Sequence, residues 1–113
     1  MAQTQVQSRQ SGCVCPDFHA AIELIGKRWT GAIVSALSER SMRFGELRKG
    51  IPGLSDRLLS QRLRELEEEG LVEREVEAGT PVRVTYSLTP VGDDLGPAIH
   101  ELKAWAKRWK HAG

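Results

Sequence analysis

The chain lacks most of what an enzyme, a secreted scaffold or a membrane protein needs. Only two of its 113 residues are cysteine, too few for a disulfide framework. A structural zinc would need four ligands, and Cys13, Cys15 and His19 supply at most three, so no metal site is expected. No uninterrupted apolar run approaches the roughly 18 residues of a membrane span. The first dozen residues, MAQTQVQSRQSG, have no apolar stretch of the kind a signal peptide carries. Residues 1–14 are therefore expected to be a flexible tail, and the protein to be cytoplasmic with no membrane partner. The three histidines, at 19, 100 and 111, have no acid or base clustered beside them, and no glycine-rich phosphate loop is present. A core of this size also leaves little room for a substrate pocket. These absences argue against catalysis and against a cofactor.

A net charge of only +1 would, alone, speak against nucleic acid, but the distribution reverses that reading. Between Arg43 and Arg64 lie six basic residues and two acidic ones, a local excess of +4. Acid then crowds into Glu65, Glu67, Glu68 and Glu69, and continues at Glu73, Glu75 and Glu77. Charge runs are usually just solvated faces, so the asymmetry matters only if the local fold places it on one side.

The stretch RFGELRKGIPGLSDRLLSQRLRELEEEGL, Arg43 to Leu71, supplies that fold. A short helix around Phe44 to Ile51 is broken by Pro52-Gly53-Leu54. Ser55 then stands as the N-cap of a long helix that Gly70 stops. On a helical wheel Leu59, Leu63 and Leu66 share one face, while Arg57, Ser60, Gln61 and Arg64 share the opposite one. This is a helix-turn-helix whose second helix offers phosphate and base-edge donors. Arginine can grip guanine O6 and N7, and glutamine adenine N6 and N7. Ser55 and Asp56 occupy the first turn, where free amides favour a phosphate and Asp56 would oppose one unless it caps or contacts cytosine. Arg43 and Lys49 flank the turn and suit phosphate contacts. For any one arginine, a surface ion pair is the competing explanation.

Before this unit, Pro16 opens a helix with Phe18, Ala21, Ile22 and Ile25 on one stripe, ended by Gly26. A second helix is expected from about Lys27 to Leu37, burying Trp29, Ile33, Val34 and Leu37. Ser41-Met42-Arg43 reads as an extended link. After Gly70 the period becomes two: Val72, Arg74 and Val76, then Val82, Val84, Tyr86 and Leu88, around a turn at Ala78-Gly79-Thr80-Pro81. This predicts a β-hairpin with one covered face and one wet face, and Arg83 on the wet face could reach a minor groove. Thr89-Pro90 starts a final helix running to about His111, kinked near Gly96-Pro97. The fold class is thus mainly α with a small β-hairpin (α+β), a winged helix-turn-helix over residues 15–113.

Both ends carry further signals. Leu95, Ile99, Leu102, Ala106 and Trp109 recur at spacings of four and three, with Trp105 widening the stripe, a packing seam suited to a dimer interface. Phe18 and Ile22 on the first helix, expected to pack on the last, would join it. Cys15 directly precedes a helix-opening proline, so it falls at the N-cap, where the helix dipole stabilises a thiolate. Cys13 or the partner subunit could then resolve it. An unreactive structural thiol is the alternative.

The residues now in view resemble the HxlR-type transcriptional regulators, small winged-helix proteins related to the MarR group. The matching marks are Cys15-Pro16, Ile25-Gly26-Lys27-Arg28-Trp29, Arg43-Phe44-Gly45-Glu46-Leu47 and Pro52-Gly53-Leu54-Ser55. Leu63-Arg64-Glu65-Leu66-Glu67 with Gly70-Leu71, Tyr86-Ser87-Leu88-Thr89 with Gly92, and Trp105 complete them. The resemblance implies a homodimer held by N- and C-terminal dimerisation helices, binding double-stranded DNA at a two-fold operator. It also implies that the cysteine before Pro16 can sense oxidants or electrophiles. Lys27 departs from it, since many members have a second glycine there. Two alternatives stay open: a non-covalent small-molecule effector, or a winged helix that contacts only proteins.

Overall fold

The computed structural model describes residues 14–112, so Cys13 and the expected tail up to it lie outside the described residues. Helix α1, Pro16–Ile25, starts as anticipated, with Cys15 at the N-cap in extended geometry and Pro16 at the first helical position. None of its residues is buried, and Phe18 and Ile22 stand 66% and 53% exposed. Helix α2 is Thr30–Glu39, three residues later than expected. The cause is Trp29, whose φ of 75° is left-handed and cannot continue from a preceding helical turn. Lys27, Arg28 and Trp29 therefore form the turn, and Trp29 is half-buried rather than part of the helix.

Strand β1, Met42–Arg43, leads straight into α3, Phe44–Gly50, and the turn delivers the chain to α4, Asp56–Glu68. Gly53 has φ +92° there, and a Cβ on it would stand 3.5 Å from the Trp29 ring, so it is the backbone angle that demands glycine. Helix α4 closes with Gly70 left-handed, Gly70 N–H donating to the Glu67 carbonyl at 3.0 Å and Leu71 N–H to that of Leu66 at 2.9 Å, a Schellman motif.

Strands β2, Val72–Glu77, and β3, Arg83–Leu88, form the hairpin. The expected link at Met42-Arg43 is itself a strand: Met42 pairs with Tyr86 and Arg43 with Thr85, giving a three-stranded antiparallel sheet of order β1-β3-β2. The hairpin's covered face is shorter than the alternation suggests. Val72 is buried, but Val76 and Val82 are 52% and 60% exposed, because the hairpin runs out past the core. The final helix is two pieces, α5 (Pro90–Asp93) and α6 (Gly96–Lys110), separated by Asp94-Leu95, so the expected glycine and proline open the second piece.

The core gathers Ile33, Val34 and Leu37 of α2, Leu47 of α3, and Ile51 and Leu54 of the turn. Leu59, Leu63 and Leu66 of α4, Val72 and Ile99 complete it. Leucines four and three apart on α4 are thus its buried face, as the wheel requires. Ile99 lies in this protomer's own core, and Leu95 packs against it, so these two members of the expected seam are already partnered. Within the protomer α1 and α6 each take α2 as their helical neighbour, rather than packing mainly on one another.

Candidate nucleic-acid interface

Helix α4 owes its start to one hydroxyl. Ser55 Oγ accepts the Leu58 amide at 3.1 Å, satisfying one of the amides that a helix start leaves free. Burial of the leucine face then turns Arg57, Ser60, Gln61 and Arg64 outward together, all exposed. Asp56, the doubtful member, forms an ion pair with Arg48 of α3. The pair bridges the turn and offsets the carboxylate that would otherwise repel a phosphate. Periodicity could not reveal it, because the two residues lie on different helices. Arg48 is the site residue that the sequence reading missed.

Arg43 and Lys49 are exposed beside the turn. The Arg43 amide donates to Glu46 Oε1 at 2.8 Å and fixes the start of α3. That hydrogen bond holds the Glu46 carboxyl below the ordinary value of 4.5; desolvation opposes it, and Arg40 beside it helps to outweigh that. Among the described residues Arg43, Lys49, Arg57 and Arg64 have no ion-pair partner. Four cations around one helix and its turn thus remain available to an anion. Arg83 is exposed on the hairpin, opposite Glu77 in the register.

Arg62 differs from its neighbours. It points to the back of α4, its side chain only 14% exposed, and donates to the Arg28 carbonyl at 3.0 Å and to Glu65 at 3.1 Å. It adds to the basic count in sequence but not to the outward face.

The other expected residues lie away from this surface. Cys15 is exposed, and its Sγ accepts the Phe18 amide at 3.5 Å, so it is a true N-cap. On α6, Leu102, Trp105 and Trp109 are 52%, 49% and 60% exposed, with the two indoles stacked at 5.4 Å. An apolar groove of about 690 Å³ runs between α2, α3 and α6, walled by Ala32, Ala36, Leu47, Ile99 and Leu102, with Glu39 and Lys103 among its polar residues. No described helix is long and apolar enough to cross a membrane.

Comparison with known proteins agrees with this geometry. Residues 24–113 match the HxlR-like helix-turn-helix family. The uncharacterised HTH-type transcriptional regulator YvaP of Bacillus subtilis is 47% identical over 96 residues, covering 85% of this chain and 89% of YvaP. The reduced form of the B. subtilis transcriptional regulator YodB superposes with a TM-score of 0.79 at 41% identity, over 88% of this chain and 98% of that one. YodB has also been solved diamide-treated and quinone-bound. The redox regulator HypR in its oxidised form superposes with a TM-score of 0.77 at 36% identity, over 82% of this chain and 95% of that one. The chain belongs to the HxlR-like helix-turn-helix family of transcriptional regulators.

Proposed function

We propose that this protein is a cytoplasmic, sequence-specific DNA-binding repressor that acts as a homodimer on an inverted-repeat operator. The observation that carries this reading is the outward face of α4. Arg57, Ser60, Gln61 and Arg64 stand exposed on the side opposite three buried leucines. Such a face suits a major groove, with Arg43 and Lys49 on the backbone and Arg83 at the hairpin reaching an adjacent minor groove. A helix used only for protein contacts would present apolar or acidic groups there instead.

The exposed stripe of α6, Leu102, Trp105 and Trp109, together with Phe18 and Ile22 of α1, supports a two-fold interface, since aromatic residues concentrate in such surfaces. Control would act through the thiol at Cys15. An adduct or an intersubunit disulfide at the start of α1 would shift the terminal helices and the spacing of the two recognition helices, a rigid-body switch. Oxidised, diamide-treated and quinone-bound forms of the two relatives support the same chemistry here. A second reading, a non-covalent small effector, is favoured by the groove beside α3, whose size falls within the range of small-molecule pockets.

The direct test is a mobility-shift titration with random duplex DNA at about 50 mM salt, where phosphate contacts are strongest. Binding that weakens steeply with added salt is expected. Absence of any affinity under those conditions would remove the DNA reading altogether.

A further inference from the structure

Of Arg57, Ser60, Gln61 and Arg64 on the outward face of α4, Gln61 is the one whose side chain has a hydrogen-bond partner among the described residues. Its Nε2 donates to Glu65 Oε2 at 3.4 Å, one turn further along the helix. Glu65 is itself fixed from behind. Arg62 Nη1 donates to both of its oxygens, at 3.1 and 3.3 Å, and Lys27 Nζ reaches Oε2 at 3.5 Å from the turn before α2. Arg62 in turn is anchored on the Arg28 carbonyl of that same turn. The side chains of Arg62 and Glu65 are only 14% and 23% exposed, so this anchorage is shielded as an ordinary surface pair would not be.

We propose that Glu65 is a positioning residue for DNA reading: clamped by Arg62 and Lys27, it sets which way the Gln61 amide faces and so which base Gln61 reads. The inference rests on the DNA-binding reading above. An amide offers a carbonyl acceptor at one end and two N–H donors at the other, and its reading changes if the two ends exchange. With one N–H committed to Glu65, the second N–H and the carbonyl oxygen are the groups left for a base, and exchange of the two amide ends is disfavoured. One donor and one acceptor side by side are what adenine requires, a donor toward N7 and an acceptor for N6–H. Partial burial raises the Glu65 pKa, but the hydrogen bonds from Gln61 and Arg62 and the charges of Arg62 and Lys27 outweigh it and hold the carboxyl ionised below its ordinary value. The acceptor that orients Gln61 is therefore present at neutral pH. Lys27, where the family resemblance leads one to expect glycine, adds a second cation to this clamp.

The experiment selects bound duplexes from a library with a randomised 20-bp core, using the full-length wild type, Gln61→Ala, Glu65→Met and the double variant. Glu65→Met keeps length and helix propensity but removes the acceptor. The wild type is expected to discriminate about tenfold or more at the base pair that Gln61→Ala relaxes. Glu65→Met is expected to relax that same base pair, to leave preferences elsewhere intact, and to add nothing in the double variant. Glu65→Gln, which restores an acceptor, is expected to recover most of the discrimination. An unchanged base profile for Glu65→Met, or an even loss across all sequences, would overturn the proposal. If Glu65→Met does not fold, Lys27→Met at its exposed position is expected to relax the same base pair by a smaller factor, and no change there would overturn the proposal instead. Failure of the wild type to enrich any sequence would sink the DNA reading and this inference with it, a result distinct from intact enrichment with an unmoved profile.

Discussion

Gly92 has less space around it than any other described glycine. A Cβ there would lie 2.2 Å from the Leu71 carbonyl oxygen and 3.2 Å from a Leu88 methyl, so the link between α4 and β2 and the end of β3 both close on it. Gly92→Ala is expected to destabilise the fold by about 1–3 kcal/mol, as overpacked interiors do. In a domain of this size each kcal/mol lowers the thermal midpoint by about 4–8 °C, which a melting curve resolves. Cys15 makes the opposite kind of prediction, with function moving and stability staying put. Its exposed Sγ sits at the amide end of α1, accepting the Phe18 N–H, and is open to a reagent. The Cys13→Ser protein, which keeps Cys15, is expected to be alkylated faster than Cys15→Ser and to lose operator affinity on diamide treatment. Equal slow rates with affinity unmoved by diamide would leave Cys15 a structural cap and favour the groove as the place where a signal enters. At this scale the sequence was read well wherever one residue decides one local geometry. Ser55 starts and Gly70 stops α4 as expected, and Pro16 opens α1 behind the Cys15 cap. It was read poorly where two distant residues decide together. Nothing in a periodic pattern could place Arg48 on Asp56 or Lys27 on Glu65.

The elements show the same division. Helices α3 and α4 were legible because apolar spacing, breakers and caps all agree there. The start of α2 was not, since the left-handed Trp29 is held by its ring lying over the glycine of a turn some two dozen residues on. Strand β1 was missed because two residues carry no period; only pairing with Tyr86 and Thr85 makes them a strand. The seam on α6 divides into an inner part, Leu95 and Ile99, used by the protomer, and an outer part, Leu102, Trp105 and Trp109, which stays in water. This division sharpens a test of assembly. Leu102 is 52% exposed, so Leu102→Asp is expected to leave the protomer folded. In a two-fold interface the same change would bury an uncompensated charge, at a cost of about 3–5 kcal/mol. Light scattering is expected to report a monomer and far-ultraviolet dichroism an unchanged helix content. A variant that stays dimeric would place the interface elsewhere.

For the molecule as a whole, the small net charge conceals a one-sided distribution. Arg43, Lys49, Arg57 and Arg64, which lack ion-pair partners among the described residues, gather around α3, the turn and α4, while a run of acidic residues continues down the end of α4 and along β2. Lys49→Ala is expected to weaken binding to every duplex alike and to reduce the slope of log affinity against log salt by about 0.9 for each phosphate left without its cation. A change confined to one operator sequence would instead make Lys49 a base reader. With two α4 helices related by a two-fold axis, half-site centres are expected about 10 bp apart or at a multiple of that.

Where α4 ends, Thr89 Oγ1 donates to the Gly70 carbonyl at 2.6 Å, Thr89 N–H donates to the Leu71 carbonyl at 3.0 Å, and Gly92 leaves no slack between them. The reading helix is thereby welded, largely through main chain, to the segment that begins the C-terminal helices. In a dimer built on α6, the distance between the two reading heads would be inherited from this joint, whereas the bases they prefer would be set by side chains at the far side of α4. Spacing and spelling would then be separate dials. Substitutions on the outward face could retarget the protein to a new operator sequence while the separation of the half-sites stayed as it was.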